Sequence, residues 1–117
     1  MCQLWLMTDL FINAPVYDGY SNALSEGRYV GALPLLNDIP AHREILEFGT
    51  HALCADPFTA EQLAAILPDA LRNMDAWKAR VAPANRQWIE QNALLSVHSA
   101  AFLDACRTLS HQTAQMR

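Results

Sequence analysis

Short apolar runs alternate with amphipathic segments over the first half of the chain. Residues 10–14, 33–36 and 52–55 are mostly apolar, and each run is followed by proline or polar residues, which is typical of buried parallel strands. Residues 21–29 and 40–48 lie between these runs and have the composition of short helices. The alternation predicts an α/β fold, with a parallel sheet of about three strands and flanking helices.

Capping residues predict where the helices of this first half begin and end. Ser21 is a good N-cap for the first helix, and Gly31 is placed to stop it. Pro40 can occupy the first turn of the second helix, with Gly49 as its terminator. Thr59, with a glutamine three residues later, has the spacing of a capping box and opens a further helix.

The second half of the chain is predicted to be a helical tail. Pro68 is expected to kink or end the preceding helix, and further breaks are expected at Pro83 and around residues 92–96. Ser96 would then cap the last helix. Three strands alone would leave a sheet edge and much helix surface uncovered, so residues 1–117 are predicted to form one partial domain, Rossmann-like in layout.

The composition of the chain limits which partners and which cellular location are expected. The 117 residues carry 12 acidic and 8 basic side chains, for a net charge of −4, and no basic cluster suits a nucleic-acid backbone. Three widely spaced cysteines fit neither a disulfide framework nor a paired metal site, which favours a reducing cytoplasm.

Residues 1–9 fit the end of a helix or an irregular start, and they lack the features of a signal peptide. No apolar stretch is long enough to span a membrane, so any membrane contact is expected to be peripheral.

The stretch from the first predicted strand to residue 44 carries a recognisable order of motifs. Asp18-Gly19-Tyr20 is followed by Glu26 and then by Gly31, and residues 37–44 read Asn-Asp-Ile-Pro-Ala-His-Arg-Glu. This order resembles the C-terminal domain of GT-B glycosyltransferases of the family 4 type, whose signature has two acids separated by seven residues. The resemblance is strong over residues 8–67 and weak over 68–110.

The resemblance implies a retaining transfer of sugar from a nucleotide-sugar donor. No metal or cofactor is expected. Asp18 would lie beside the donor sugar, and Glu26 would accept hydrogen bonds from the ribose hydroxyls. Four consecutive residues would hold sugar hydroxyls and phosphate through their backbone: Gly19, Tyr20, Ser21 and Asn22. The physical arrangement agrees, because open α/β sheets bind ligands beyond the carboxyl ends of their strands and helix N-termini favour anions.

The sequence also departs from the family pattern. Asp18 is one methylene shorter than the family's glutamate, and Pro34 lies one residue later than in many members. The basic pair and glycine-rich turn that hold the donor diphosphate have no counterpart here. The chain is therefore expected to be a poor enzyme alone, supplying the ribose and sugar side of a donor site that needs a missing N-terminal part or a partner chain.

Two alternatives compete with this interpretation. The chain could be a non-catalytic module that self-associates through its sheet edge and apolar helix faces, or an unrelated small α/β protein whose match is coincidental. The histidines lack the spacing of a zinc site and are expected to be structural or exposed. Trp5, Trp77 and Trp88 are expected to be core or docking residues rather than a sugar-stacking surface.

Overall fold

The computed structural model describes residues 2–19 and 21–116. Strands and helices alternate in the first half of this region, and helices alone make up the second half. In chain order the elements are α1 (Cys2–Leu6), β1 (Leu10–Asn13), α2 (Asn22–Val30), β2 (Leu33–Leu36), α3 (Pro40–Ile45), β3 (Leu53–Cys54), α4 (Ala60–Arg72), α5 (Met74–Asn92) and α6 (Leu95–Gln115). Residues 2–6, which fitted a helix or an irregular start, are helical.

The three strands form one parallel sheet in the order β1-β2-β3. Leu10 pairs with Leu33, and Leu36 pairs with Cys54. All four residues of the central strand β2 are buried, as expected for a strand covered on both faces. The prediction of an α/β fold with three parallel strands and a helical C-terminal part is confirmed.

Pro34 lies in the central strand without breaking its pairing. The amide of Leu33 donates to Asp9 O, 2.9 Å away, so the odd-numbered residues of β2 direct their backbone groups toward β1. The nitrogen of Pro34 therefore faces the β3 side, where pairing begins only one residue later, at Leu35. A proline at this position removes no hydrogen bond from the ladder.

Helix α2 begins and ends where its capping residues predict. Ser21 Oγ accepts a hydrogen bond from the Leu24 amide at 3.2 Å, which satisfies one of the first-turn donors. Gly31 ends the helix in the left-handed region, at φ +94°. Thr59 likewise caps α4, with Oγ1 accepting from the Gln62 amide at 3.3 Å.

Several predicted helix boundaries were wrong. Helix α3 ends at Ile45 rather than continuing to Gly49, because Phe48 pairs with Ala52 in an isolated bridge and Gly49 turns the chain between them at φ +86°. The last helix begins at Leu95, one residue after its N-cap Leu94, and Ser96 lies inside it.

The prolines of the C-terminal helices do not interrupt them. Helix α4 continues through Pro68 to Arg72, so Pro68 does not end it, and the break predicted at Pro83 is wrong because α5 passes through it. A helix-interior proline costs about 3 kcal/mol, which tertiary packing can offset. Helix α5 buries Val81, Asn85 and Ile89 against the rest of the protein, so its packing sustains it on both sides of Pro83. The break expected around residues 92–96 is confirmed, since α5 and α6 meet there.

The core lies where the sheet meets α2 and the segment after α3. Leu24, Leu36, Leu46 and Ala52 form a buried cluster, and Phe11 packs against it. Helix α5 lies across α2 and β2. It runs antiparallel to α2, because residues from the end to the start of α2 lie beside successively later residues of α5.

Gly31, at the end of α2, faces Ala82 near the middle of α5. Arg28, one turn earlier in α2, hydrogen-bonds Asn85, and Asn22, at the start of α2, shares a groove with Ala93. The N-terminus of α2 and the C-terminus of α5 therefore lie at the same edge of the molecule, beyond the carboxyl ends of the strands.

Helix α6 projects from this body. It contacts α5, and none of its residues is buried. Its exposed side chains include Leu95, Phe102 and Leu109. None of the helices in the described part of the chain has the length and apolar character that a membrane crossing requires.

Candidate functional site

The loops that follow β1 and β2 meet at the carboxyl edge of the sheet. Asn37, directly after β2, donates from Nδ2 to the carbonyl of Pro15 in the loop after β1, at 2.7 Å. His42 of α3 is buried, and its Nδ1 lies 2.8 Å from the Asn37 carbonyl oxygen. These contacts fix α3 and the loop carrying Asp18 relative to each other.

A groove of about 330 Å³ lies between this loop and α3, and we call it the Asp18 groove. It is lined by Tyr17, Asp18, Gly19, Pro40, Ala41, Glu44 and Ile45. Two of these side chains, Asp18 and Glu44, are carboxylates and none is basic. The groove therefore suits neutral groups that donate hydrogen bonds, such as sugar hydroxyls, better than it suits a phosphate.

Arg43 of α3 does not line the groove, and its guanidinium is paired with Asp38, an acid outside the groove lining. Its Nε and Nη2 donate to the two carboxylate oxygens of Asp38 at 2.5 and 2.6 Å. This bidentate pairing holds the pKa of Asp38 below its usual value. Arg43 is thereby directed to Asp38 rather than to an anion in the groove.

A second groove, of about 260 Å³, lies between α2 and the C-terminal end of α5, and we call it the Glu26 groove. It is lined by Asn22, Ser25, Glu26, Tyr29, Ile89 and Ala93. Polar side chains come from the α2 wall, and apolar ones come from α5. This combination of an apolar wall with a few polar groups is common in sites for small organic ligands.

Trp5 of α1 holds the carboxylate of Glu26. Its indole Nε1 donates to Glu26 Oε2 at 2.9 Å. No local pattern indicates this contact, because the two residues lie 21 positions apart. Trp5 was expected to be a core or docking residue, and its hydrogen bond to a predicted site residue was missed.

The predicted site residues fall along these two grooves. Asp18 and Gly19 line one groove, and Asn22 and Glu26 line the other. Ser21 lies between them and uses its hydroxyl to cap α2. Tyr20, also predicted to bind the donor, lies outside the described residues. The chain thus passes from one groove to the other across the N-terminus of α2.

A buried polar network underlies the α2 side of this region. Arg28 is fully buried, and its Nε donates to Asn85 Oδ1 at 2.8 Å. Its Nη1 donates to the Ile45 carbonyl at 3.0 Å, and its guanidinium lies 4.6 Å from the ring centroid of Trp88. Asn85 in turn donates to the carbonyl of His51 at 2.7 Å. The network joins α2, α5 and the segment after α3.

The surroundings of His51, including this network, lower the pKa of its imidazole. Burial lowers its pKa, and the positive charge of Arg28 lowers it further. Its Nδ1 accepts a hydrogen bond from the Glu47 amide at 3.0 Å, which the neutral ring can do and the protonated ring cannot. The histidine is therefore a structural acceptor.

The described residues contain no group of three or more His, Cys, Asp or Glu side chains arranged to hold a metal ion. The two grooves offer carboxylate acceptors, and the N-terminal amides of α2 lie between them. In comparisons with protein-family models, curated proteins and solved structures, none matches the chain.

Proposed function

We propose that the chain is part of a retaining glycosyltransferase and supplies the ribose and sugar side of a nucleotide-sugar site. The supporting observation is the arrangement of the two grooves. Each contains one of the two acids that the sequence singles out, and the N-terminus of α2 lies between them. A single extended ligand could therefore reach both carboxylates while crossing the helix terminus.

The roles follow from the chemistry of each position. The Asp18 groove would receive the sugar, whose hydroxyls donate to the carboxylate. The diphosphate would cross the start of α2, where first-turn amides have no acceptor within the helix and the helix dipole is positive. Glu26, about 6 Å along the helix from Asn22 at 1.5 Å per residue, would accept from the ribose hydroxyls.

The strand order supports a partial Rossmann-like domain. The classic doubly wound sheet has the order 3-2-1-4-5-6, and three parallel strands in consecutive order match one half of it, either 1-2-3 or 4-5-6. We assign them to 4-5-6, because the motif resemblance is to the second half of such a domain. In that assignment β1 is the strand beside the switch point, where such sheets bind their ligands. The free edge of β1 would then receive the strands of the other half.

The same assignment explains why the chain alone would be a weak enzyme. Among the residues that the structure describes, no lysine or arginine lines either groove to neutralise a diphosphate. A missing N-terminal part or a partner chain would supply this charge together with the acceptor site. A cytoplasmic location belongs to this proposal, since nucleotide sugars would be the substrates.

Titration of the ¹⁵N-labelled chain with uridine diphosphate or guanosine diphosphate tests the proposal. We expect the amide signals of residues 19–26 to move, with millimolar affinity because half of the site is absent. Glu26→Gln should weaken the binding, and the matched control Glu61→Gln, on the first turn of α4, should leave it unchanged. Shifts confined to residues distant from both grooves would contradict the proposal.

A second candidate function, an assembly module, rests on α6. This helix is about 31 Å long at 1.5 Å per residue, and Leu95, Phe102 and Leu109 recur on one side of it every seven residues. Their exposed fractions are 83%, 68% and 63%, which is unusual for such large apolar side chains.

Light scattering over a range of concentrations tests this candidate. The module predicts concentration-dependent association that Phe102→Glu abolishes. Asp104→Asn, two residues along and on the other side of the helix, is the control and should have no effect. A monomer at every concentration would exclude the module.

A further inference from the structure

Trp5 is placed to control the geometry of Glu26 from outside the groove. The indole Nε1 donates to Oε2 of the carboxylate, and Oε1 has no hydrogen-bond partner among the described residues. Trp5 does not itself line the Glu26 groove, which is formed by residues of α2 and α5. A carboxylate has room for about four hydrogen bonds, so one oxygen can be anchored while the other accepts from a ligand.

The indole ring is itself held by two neighbours. A Cβ built on Gly27 would lie 2.9 Å from Trp5 Cζ3, so the ring lies directly on the backbone of α2. The ring also meets Phe11 of β1 edge to face, with centroids 4.9 Å apart and planes at 73°. The position of the Nε1 hydrogen is therefore set by packing against both α2 and the sheet.

Anchoring by a rigid donor has a known consequence for binding. Glu26 lies on the surface, and a free glutamate side chain there would have several rotamers to lose on binding a ligand. A carboxylate held in one rotamer before the ligand arrives loses less conformational entropy on binding. Groups that support a binding residue in this way are a common feature of preorganised sites.

We infer that Trp5 is a positioning residue for ribose recognition, holding Glu26 so that its free oxygen accepts from a ribose hydroxyl. This inference rests on the proposed function. It extends the site to α1, a helix that carries none of the motif residues. It also gives a reason for the close approach at Gly27, since any larger residue would push the indole away from the carboxylate.

The variant that tests this is Trp5→Phe, which keeps an aromatic ring against Phe11 and Gly27 and removes the N–H donor. The dissociation constant for uridine diphosphate and for guanosine diphosphate would be measured by NMR titration of the full chain. We expect Trp5→Phe to weaken binding about three- to tenfold, because the Glu26 side chain, no longer held before the ligand arrives, would have to be ordered on binding. Trp77→Phe, on α5, is the matched control and should leave the affinity unchanged.

Two further measurements distinguish positioning from a general structural role. The 2′,3′-dideoxy analogues of the same nucleotides lack the ribose hydroxyls, so their affinity should be the same for the wild-type chain and for Trp5→Phe. In a Glu26→Gln background, Trp5→Phe should cause no further loss for either nucleotide. Equal losses for the nucleotides and their dideoxy analogues would overturn the inference.

Failure of the inference and failure of the proposed function give different results. If the wild-type chain binds the nucleotides and Trp5→Phe binds them equally well or more tightly, Trp5 does not position Glu26, and the proposed function is unaffected. If the wild-type chain binds neither nucleotide, both are overturned.

Discussion

The buried network around Arg28 gives the sharpest prediction about stability. Asn85 is fully buried on α5 and joins two elements, accepting from Arg28 and donating to the His51 carbonyl. Asn85→Ala removes both hydrogen bonds and leaves a buried cation without this acceptor. The free energy of unfolding should therefore fall by much more than a typical asparagine-to-alanine change would cause.

The magnitude follows from the two bonds. A hydrogen bond to a charged group contributes about 1.5–3 kcal/mol, and an amide-to-carbonyl bond contributes about 1 kcal/mol. The higher helix propensity of alanine offsets about 0.5 kcal/mol of this loss in the free energy of unfolding. The expected loss is about 2–3.5 kcal/mol, a large part of the roughly 5–15 kcal/mol that stabilises a typical domain.

Urea unfolding followed by circular dichroism measures this loss. Asn92→Ala is the matched control, because Asn92 lies on the same helix and makes one exposed bond to the Trp88 carbonyl at 2.9 Å. The control should change the free energy of unfolding by less than about 0.5 kcal/mol. If Asn85→Ala costs no more than Asn92→Ala, the network does not hold α5 against α2.

Three further predictions concern single positions. Gly31→Ala should cost about 1 kcal/mol, because alanine is strained at φ +94°, whereas Gly19→Ala, which meets no atom within 4 Å, should be nearly neutral in the same urea assay. Gly27→Ala should displace the indole of Trp5, which would be measured as a change in tryptophan fluorescence that is absent in the Trp5→Phe background. Because folding lowers the pKa of His51, the unfolded chain binds the proton more readily, so the free energy of unfolding should fall as the pH is lowered through the ordinary histidine pKa of about 6.5, and less so in His51→Gln.

The sequence predicted the features that depend on local chemistry. The caps Ser21, Gly31 and Thr59 act where they were expected, because each satisfies or ends a helix through its own backbone or side chain. The three apolar runs became three parallel strands for the same reason, since buried strands need continuous apolar surface.

The errors have two different physical causes. Pro83 lies within α5, whose buried face packs against α2 and β2, and the sequence around Pro83 carries no information about those distant surfaces. Helix α3 ends early for a local reason, because Phe48 and Ala52 pair in an isolated bridge and Gly49 turns the chain between them. The composition of residues 40–48 favours a helix and does not reveal this bridge.

In the candidate site, too, some features follow from local sequence and others depend on contacts between distant residues. The positions of Asp18 and Glu26 beside the start of α2 follow from the order of strand, turn and helix. Their separation into two grooves depends on α3 and α5, and the hydrogen bond from Trp5 depends on the docking of α1. A contact between residues 21 positions apart with no shared motif could not be predicted from one sequence.

We propose that one extended donor crosses the start of α2 with its sugar and its ribose in different grooves. Transferred and isotope-filtered NOE spectra of the labelled chain with uridine diphosphate glucose would locate both rings. We expect contacts from the glucose protons to Gly19 and Ala41, and from the ribose protons to Glu26 and Tyr29. Contacts from both rings to a single groove, or the reverse assignment, would refute this arrangement.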